Sequence, residues 1–372
     1  MQYFADVLKI IEGGLKFNAQ TVVNYAQALK ERLEQDGEHM QASLLQTKLD
    51  GVAKSVTAFG GATAPSLPVD QESQLDLASV ETLRPGDAHA ILDTHIRADV
   101  DRFLKYASAT DQLIEAGVGV APRMLIYGPP GVGKTQLARH IAAELRLPLL
   151  TARCDSLISS YLGSTAKNIR RLFDHAAERP CVLFLDEFDA LAKARDDAQE
   201  LGELKRVVVG LLQNMDALPP RNVVIAATNH QQLLDPAVWR RFSFRISMDL
   251  PHPQLREALL HSYLKGYEPD EHFDWAVELS EGLSGAIIRE VAEDCIREAV
   301  ITGKEKVTAP ALIHRMVQTA IIARGLTPTE EAMARLLLTY KAPQRLAGQA
   351  TGLSMRQIAK LSNDLKHEAA ST

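Results

Sequence analysis

The chain has 372 residues, enough for two or three domains with a sizeable hydrophobic core. Its formal net charge of −6 argues against a protein whose main activity is nonspecific binding to nucleic acid or anionic membranes. The three cysteines form no Cys-x-x-Cys pair, so the sequence indicates a reduced, cytoplasmic setting and neither a disulfide framework nor a zinc site. The N-terminus lacks the pattern of a signal peptide, and no apolar run is long enough to span a membrane.

Residues 1–50 carry apolar residues at helical spacing, such as Val22, Ala26 and Leu29, which predicts short amphipathic helices. Such helices cannot each bury a face alone, so we expect a small helical N-terminal domain. Its role is open between a structural or oligomerisation extension and a domain that docks partners or recruits substrates. Residues 51–74 are rich in Gly, Ala, Ser, Thr and Pro, which is the composition of a linker.

From residue 75 to residue 250 the pattern changes to apolar strands that alternate with amphipathic helices. The expected strands are continuous apolar runs at residues 124–127, 147–152, 181–186 and 222–228. Such runs are typical of a parallel sheet that helices cover on both faces. Residues 251–325 are expected to form a separate, all-helical domain, and residues 326–372 a helical C-terminal extension.

The stretch GPPGVGKT at 128–135 matches G-x-x-x-x-G-K-[ST], the pattern of a phosphate-binding loop. It follows an expected strand and opens an expected helix, Lys134–Leu145, which is the context that the pattern requires. Glycines bring backbone N–H groups close to phosphate, and the helix N-terminus favours an anion. We expect Lys134 to reach the β- and γ-phosphates of ATP and the Thr135 hydroxyl to bind Mg²⁺. The nucleotide-binding residues expected here are Gly128, Pro129, Pro130, Gly131, Val132, Gly133, Lys134, Thr135 and Gln136.

Polar residues end two of the expected strands. VLFLDEFDAL at 182–191 places Asp186 and Glu187 at the edge of the sheet where ligands bind. We expect Asp186 to hold Mg²⁺ and Glu187 to polarise the attacking water as a general base. Asn229 ends the run NVVIAATN, and its amide is expected to orient the nucleophile near the γ-phosphate.

Two adjacent arginines, Arg240 and Arg241, stand near the end of a helix in LDPAVWRRF. Their planar guanidinium groups match the geometry of phosphate. In a ring of subunits they could reach the γ-phosphate of the neighbouring subunit as arginine fingers. The alternative is a surface pair that stabilises the C-terminus of a helix.

Taken in order and spacing, GPPGVGKT, VLFLDEFDAL, VIAATN and LDPAVWRRF resemble the AAA family of ATPases. The resemblance implies an αβα ATPase domain, a small helical lid, Mg-ATP hydrolysis and a ring, commonly a hexamer. GLSGAIIREVAEDCIREA at 282–299 resembles the lid of the family, which would place Gly285 and Ala286 over the adenine and ribose. Arg289 falls three residues beyond Ala286 and is not assigned as a lid sensor.

The resemblance also gives a role to ISSYLGST at 158–165, which precedes a helix expected to begin near Thr165. Members of the family have a pore loop at this place, with an aromatic–hydrophobic–glycine triplet. Tyr161, Leu162 and Gly163 match the triplet and are expected to grip a substrate polypeptide. The alternative for this segment is a buried corner.

PQRLAGQATGLSMRQIAKLSNDLK at 343–366 has the rhythm of a helix-turn-helix. Its second helix carries Arg356, Gln357 and Lys360, which would contact a groove if the motif binds DNA. Residues 325–372 contain six Lys or Arg and four Asp or Glu, and this net charge of +2 is slight for binding phosphates. The charge therefore favours packing, assembly or partner docking over nucleic-acid binding.

The sequence thus predicts a Mg²⁺-dependent ATPase with an α/β P-loop fold, a small all-α lid and helical extensions at both ends. The favoured function is a homohexameric ring, formed with ATP, that remodels, unfolds or disassembles proteins by threading them through a central pore. One alternative is an ATPase that acts on nucleic acid, which the helix-turn-helix rhythm supports. The other is a regulatory ATPase that serves a dedicated protease or effector.

Overall fold

The chain divides into two compact units, Met1–Ser66 and Leu67–Thr372. The N-terminal domain and linker expected at residues 1–74 lie almost entirely outside the described residues, as does Tyr161 of the expected pore loop. The described architecture therefore belongs to the second unit. The computed structural model describes residues 77–119, 121–158, 162–192 and 201–370, together with Leu29, Leu33 and Pro68.

A six-stranded sheet forms the centre of the described part of the second unit, with strand order β1-β3-β4-β5-β2-β6. Strand β1 runs antiparallel to β3 at one edge, and the other neighbouring strands pair in parallel. The expected parallel sheet is confirmed, with an antiparallel strand added at its edge. The strands are β1 Ser79–Glu81, β2 Arg123–Tyr127, β3 Leu149–Arg153, β4 Val182–Asp186, β5 Val223–Thr228 and β6 Phe244–Ser247.

Helices connect these strands. Helix α3 begins and ends at the residues expected from the sequence, Lys134 and Leu145. Helix α5 begins at Leu162, so the predicted start near Thr165 was wrong by three residues. The described helices up to β6 are α1 Thr94–Ser108, α2 Thr110–Glu115, α3 Lys134–Leu145, α4 Cys154–Leu157, α5 Leu162–Glu178, α6 Asp189–Ala192, α7 Leu201–Ala217 and α8 Pro236–Trp239, with a 3₁₀ turn at Gln231–Leu233.

Alternate residues of the central strands enter two separate cores, one on each face of the sheet. In β4, Leu183 and Leu185 pack with residues of α5 and α7, whereas Val182 and Phe184 pack with residues of α1 and α3. All four side chains are fully buried. Burial of each contributes about 1.5–3 kcal/mol, and burial on both faces explains why the strand reads as an unbroken apolar run.

An all-helical region follows β6 and has a core of its own. The core extends from Leu260 in its first helix to Leu361 in its last, so the C-terminal extension packs on the lid helices. Within the described ranges, no helix is both long enough and apolar enough to cross a bilayer. The helices are α9 Pro253–Tyr263, α10 Asp274–Leu279, α11 Gly285–Ile301, α12 Ala309–Ala323, α13 Glu330–Thr339, α14 Gln344–Thr351 and α15 Met355–Ala370.

Candidate functional site

The carboxyl ends of the adjacent strands β4, β5 and β2 meet at one edge of the sheet, where an open cavity of about 470 Å³ lies. The lid helix α11 contributes to its wall. Most residues predicted from the sequence to bind nucleotide or to act in catalysis line this one cavity. They are Pro130, Gly131, Val132, Gly133, Lys134, Thr135, Gln136, Asp186, Glu187, Asn229, Gly285 and Ala286.

The loop between β2 and α3 depends on its glycines. Gly128, Gly131 and Gly133 have φ angles of 146°, 78° and 103°, a region that side chains disfavour. A Cβ on Gly128 would also collide with the carbonyl oxygen of Met248. A side chain at any of these three positions would therefore strain the loop.

The Lys134 ammonium group lies at the centre of the loop. It donates to the carbonyl oxygens of Gly128 at 2.8 Å and Pro129 at 2.7 Å, and to Asn229 Oδ1 at 2.6 Å. These acceptors match the three donors of the ammonium. Burial lowers the pKa of Lys134, although the carboxylates of Asp186 and Asp189 oppose that shift.

Thr135 and Asp186 bring two oxygen ligands together. Thr135 Oγ1 donates to Asp186 Oδ2 at 3.2 Å, and the amide of Glu187 donates to Asp186 Oδ1 at 3.0 Å. A hydroxyl and a carboxylate are hard oxygen ligands of the kind that Mg²⁺ takes beside phosphate oxygens and waters. The pair therefore fits the Mg²⁺ site expected at these two residues.

Glu187 follows directly on β4 in a left-handed conformation, with φ of 52°. That conformation costs a residue with a side chain about 1–2 kcal/mol, and it places a half-exposed carboxylate at the cavity wall. Burial raises the pKa of Glu187, and the nearby charge of Asp155 raises it further. Arg153, 3.8 Å away, acts in the opposite direction. A carboxylate with a raised pKa is a stronger base for a water proton.

Asn229 is held in place by its neighbours at the end of β5. Thr228 Oγ1 donates to Asp189 Oδ1 at 2.8 Å and accepts from the amide of His230 at 2.9 Å. These bonds fix the backbone on both sides of Asn229. Its side chain accepts from Lys134 and lines the same cavity as Asp186 and Glu187.

The lid touches the phosphate loop directly. The amide of Ala286 donates to the carbonyl oxygen of Gly131 at 2.9 Å. At the other end of the cavity, Gln136 Nε2 donates to the carbonyl oxygen of His89 at 3.2 Å, beside the lining residues Ile91 and Leu92. The cavity wall therefore combines the polar groups of the phosphate loop with apolar side chains such as Ile91 and Leu92.

The sequence analysis considered Arg289 and did not assign it as a lid sensor, yet Arg289 also lines the cavity. Its Nε donates to Glu293 Oε1 at 2.6 Å on the same helix. Arg289 lies three residues after Ala286, and this spacing puts the two residues on one face of α11.

Four predicted residues, Gly128, Pro129, Arg240 and Arg241, do not line the cavity. Arg240 and Arg241 are exposed at the C-terminus of α8, and Arg241 Nε donates to Asp216 Oδ2 at 3.2 Å. Leu162 and Gly163 belong to the first turn of α5. Gly128 and Pro129 act through the carbonyl oxygens that they offer to Lys134.

One cavity thus collects a cation on a glycine loop, two oxygen ligands for a divalent metal, a carboxylate with a raised pKa and an amide. This set can bind a nucleoside triphosphate, neutralise its phosphates and remove a proton from an attacking water.

The model of the ATPase family associated with various cellular activities (AAA) matches residues 124–250. An uncharacterised AAA family ATPase of Sinorhizobium fredii, y4kL, is 36% identical over 284 residues, which are 76% of this chain and 85% of that protein. The ATP-dependent zinc metalloprotease FtsH of Acidothermus cellulolyticus is 31% identical over 58% of this chain and 34% of its own length. The proteasome-activating nucleotidase of Aeropyrum pernix is 34% identical over 57% of this chain and 54% of its own length. The chain thus matches only about a third to a half of the latter two proteins.

Proposed function

The chain belongs to the AAA family of ATPases, and we propose that it hydrolyses ATP as a ring-shaped homohexamer that remodels or unfolds proteins. One observation supports ATP hydrolysis above all others. The cavity beneath the lid is lined by Lys134, Thr135, Asp186, Glu187 and Asn229. These five side chains come from β2, β4 and β5 and the residues after them. These residues are far apart in the sequence, and the folded sheet brings them together.

In the proposed reaction Lys134 exchanges its protein acceptors for the β- and γ-phosphates, and the amides of the glycine loop hold the same oxygens. Thr135 and Asp186 would hold Mg²⁺, which would neutralise phosphate charge. Glu187 accepts the proton of the attacking water, and Asn229 orients that water. The raised pKa of Glu187 supports this role.

We assign Arg240 and Arg241 to the active site of the neighbouring subunit. Both are exposed and neither lines the cavity of its own chain, which supports a role in trans. An arginine that stabilises the transition state of phosphoryl transfer raises the rate by about 10³–10⁵. Such an arrangement makes hydrolysis depend on assembly.

Remodelling of proteins is supported by the relatives and by the triplet at 161–163. FtsH is named as an ATP-dependent protease and the nucleotidase as an activator of the proteasome. We propose that Tyr161, Leu162 and Gly163 contact substrate in the pore of the ring. An aromatic ring can wedge against any backbone, so the contact does not depend on substrate sequence.

The three described cysteines, Cys154, Cys181 and Cys295, are buried free thiols. Burial raises the pKa of each, which keeps the thiols protonated. These features support our assignment of the protein to the cytoplasm.

The test compares ATPase activity alone, with a permanently unfolded polypeptide and with DNA. We expect stimulation by the polypeptide, which Tyr161→Ala abolishes and the matched Tyr161→Phe retains, while basal ATPase stays near wild type in both. Native mass measurement of Glu187→Gln with ATP should show a hexamer. A monomer in ATP would refute the ring, and a Tyr161→Ala variant that remains fully coupled would refute the pore contact.

A further inference from the structure

The C-terminal extension has a feature that the ATPase site does not use. Helices α14 and α15 are joined by three residues, and Gly352 among them adopts a φ of 77°. The Gln357 side chain accepts from the amide of Ser354 at 3.0 Å, and Ser354 Oγ accepts from the amide of Gln357 at 3.4 Å. This reciprocal cap fixes the start of α15 directly after the turn.

The first helix of the pair approaches the turn closely at Gly348. A Cβ there would lie 3.2 Å from the carbonyl oxygen of Leu353. Ala347, Thr351 and Ile358 are buried on the inner side of the pair. Because backbone and short side chains make this contact, the two helices have little freedom to change their angle. The contact therefore holds α15 in a fixed orientation, with one side toward solvent.

The outer side of α15 carries cationic and amide groups. Arg356, Lys360 and Asn363 are exposed, and their spacing of four and three residues places them on one face. Neither Arg356 nor Lys360 forms an ion pair within the part of the chain that the structure describes. Their charges are therefore available to a ligand.

Charge is unevenly distributed over the extension. Residues 341–372 contain five Lys or Arg and two carboxylates, Asp364 and Glu368, which gives a net charge of +3. The acidic pair Glu330 and Glu331 lies in the first turn of α13 instead. The last two helices are thus locally basic on a chain whose formal net charge is −6.

We propose that this surface binds double-stranded DNA, with α15 in the major groove. The major groove, about 12 Å wide, admits a helix, and arginine, lysine and asparagine are the side chains that pair with guanine and adenine edges there. Arg356 stands in the first turn of α15, the part of a recognition helix that contacts bases. Lys341 and Arg345, which precede the turn in the sequence, are exposed and suit the phosphates. The major groove of an RNA duplex is too narrow for such a helix, which is why DNA is the ligand.

The proposal does not rest on the remodelling function, and its test does not use ATP turnover as the readout. Fluorescence anisotropy of a labelled DNA duplex is measured with the full chain at several salt concentrations, beside an RNA duplex of the same sequence. The variant is Arg356→Ala with Lys360→Ala. The matched control is Lys265→Ala with Lys304→Ala, which removes two exposed cations outside both the extension and the cavity.

We expect the DNA duplex to bind more tightly than the RNA duplex, with an affinity that falls as salt rises. The variant on α15 should bind DNA about tenfold more weakly or worse, and its dependence on salt should be shallower. The control should stay within about twofold of wild type, and both double variants should keep basal ATPase.

Equal DNA affinity of the α15 variant and wild type would overturn the proposal, and so would equal binding of RNA and DNA. Absence of DNA binding at low salt, combined with a loss of stimulation by unfolded protein in the α15 variant, would identify the face as a protein-docking site and refute DNA binding. If the wild-type protein shows no ATPase activity, the proposed function is refuted. The DNA-binding measurement would still test the present proposal.

Discussion

The amide of Ala286 in the lid donates a hydrogen bond of 2.9 Å to the carbonyl oxygen of Gly131 in the phosphate loop. A Cβ on Gly131 would lie 2.6 Å from Ser284 Oγ and 3.1 Å from the Cβ of Ala286. The lid therefore rests on the loop without a gap. Any change in the loop that pushes on this contact also moves the lid.

Gly131→Ala should weaken ATP binding by about tenfold or more, because the new methyl group pushes the lid from the loop and also strains a φ of 78°. Gly282→Ala is a matched control: its φ is also 78°, but a Cβ there meets nothing within 4 Å. Titration with a fluorescent ATP analogue should show near-normal affinity for the control. Normal affinity for Gly131→Ala would show that the lid does not depend on this contact.

Glu187→Gln should keep ATP affinity and lower turnover by about 10²-fold or more, since an amide cannot accept the proton of water. Steady-state ATPase assays and ATP titration separate the two effects. Glu178→Gln, an exposed glutamate outside the cavity, should be indistinguishable from wild type. If Glu187→Gln turns over ATP at a rate within a few fold of wild type, another group acts as the general base.

The pH profile of turnover should respond in opposite directions to two changes beside Glu187. A base works only when deprotonated, so kcat falls as pH drops through the raised pKa of Glu187. Asp155 raises that pKa, so Asp155→Asn should move the acidic limb to lower pH. Arg153 lowers the pKa of Glu187, so Arg153→Ala should move the same limb to higher pH. Identical profiles for both variants would show that Glu187 does not set the acidic limb.

Arg289→Ala should raise the KM for ATP several-fold, because a guanidinium group at the cavity wall can contact phosphate. Arg297→Ala is the control on the same helix: Arg297 also lies near Glu293, at 3.9 Å, but does not line the cavity. Michaelis–Menten kinetics over ATP concentration measure the difference. An unchanged KM for Arg289→Ala would leave this arginine with a structural role only.

Arg240→Ala and Arg241→Ala should each lose hydrolysis while ATP binding persists. Arg245→Ala, which removes an exposed arginine stacked on Trp239, should keep both. In mixtures, subunits with Arg240→Ala and subunits with Glu187→Gln should recover some activity, because each type supplies the group that its neighbour lacks. Wild-type turnover in both arginine variants would contradict a role in trans.

The phosphate loop and α3 could be predicted from sequence because a local rule determines them: the loop requires glycine, and Lys134 opens the helix. The buried strands β4 and β5 could be predicted because each is an unbroken apolar run. Strands β1 and β6 were not among the predicted ones. β1 has three residues at an edge, and β6 has an exposed Arg245 within it, so neither shows a continuous apolar run.

The remaining features depend on distant parts of the chain. Arg289 belongs to the site because α11 turns the face with Arg289 toward the phosphate loop. Gly131 of that loop lies 158 positions earlier in the sequence. Glu330 and Glu331 lie on α13, whereas Arg356 and Lys360 lie on α15. A count of charges along the segment cannot show that separation.

The three hydrogen bonds of Lys134 also bear on which ligands can activate the site. Its ammonium has no spare donor while it holds Asn229 Oδ1 and two loop carbonyls. A ligand that offers this ammonium oxygens of its own can take the place of Asn229 Oδ1. Phosphate oxygens are strong acceptors for such a cation. In the mechanism that we propose, the arrival of phosphate at Lys134 would therefore also free the amide oxygen of Asn229 to orient the water.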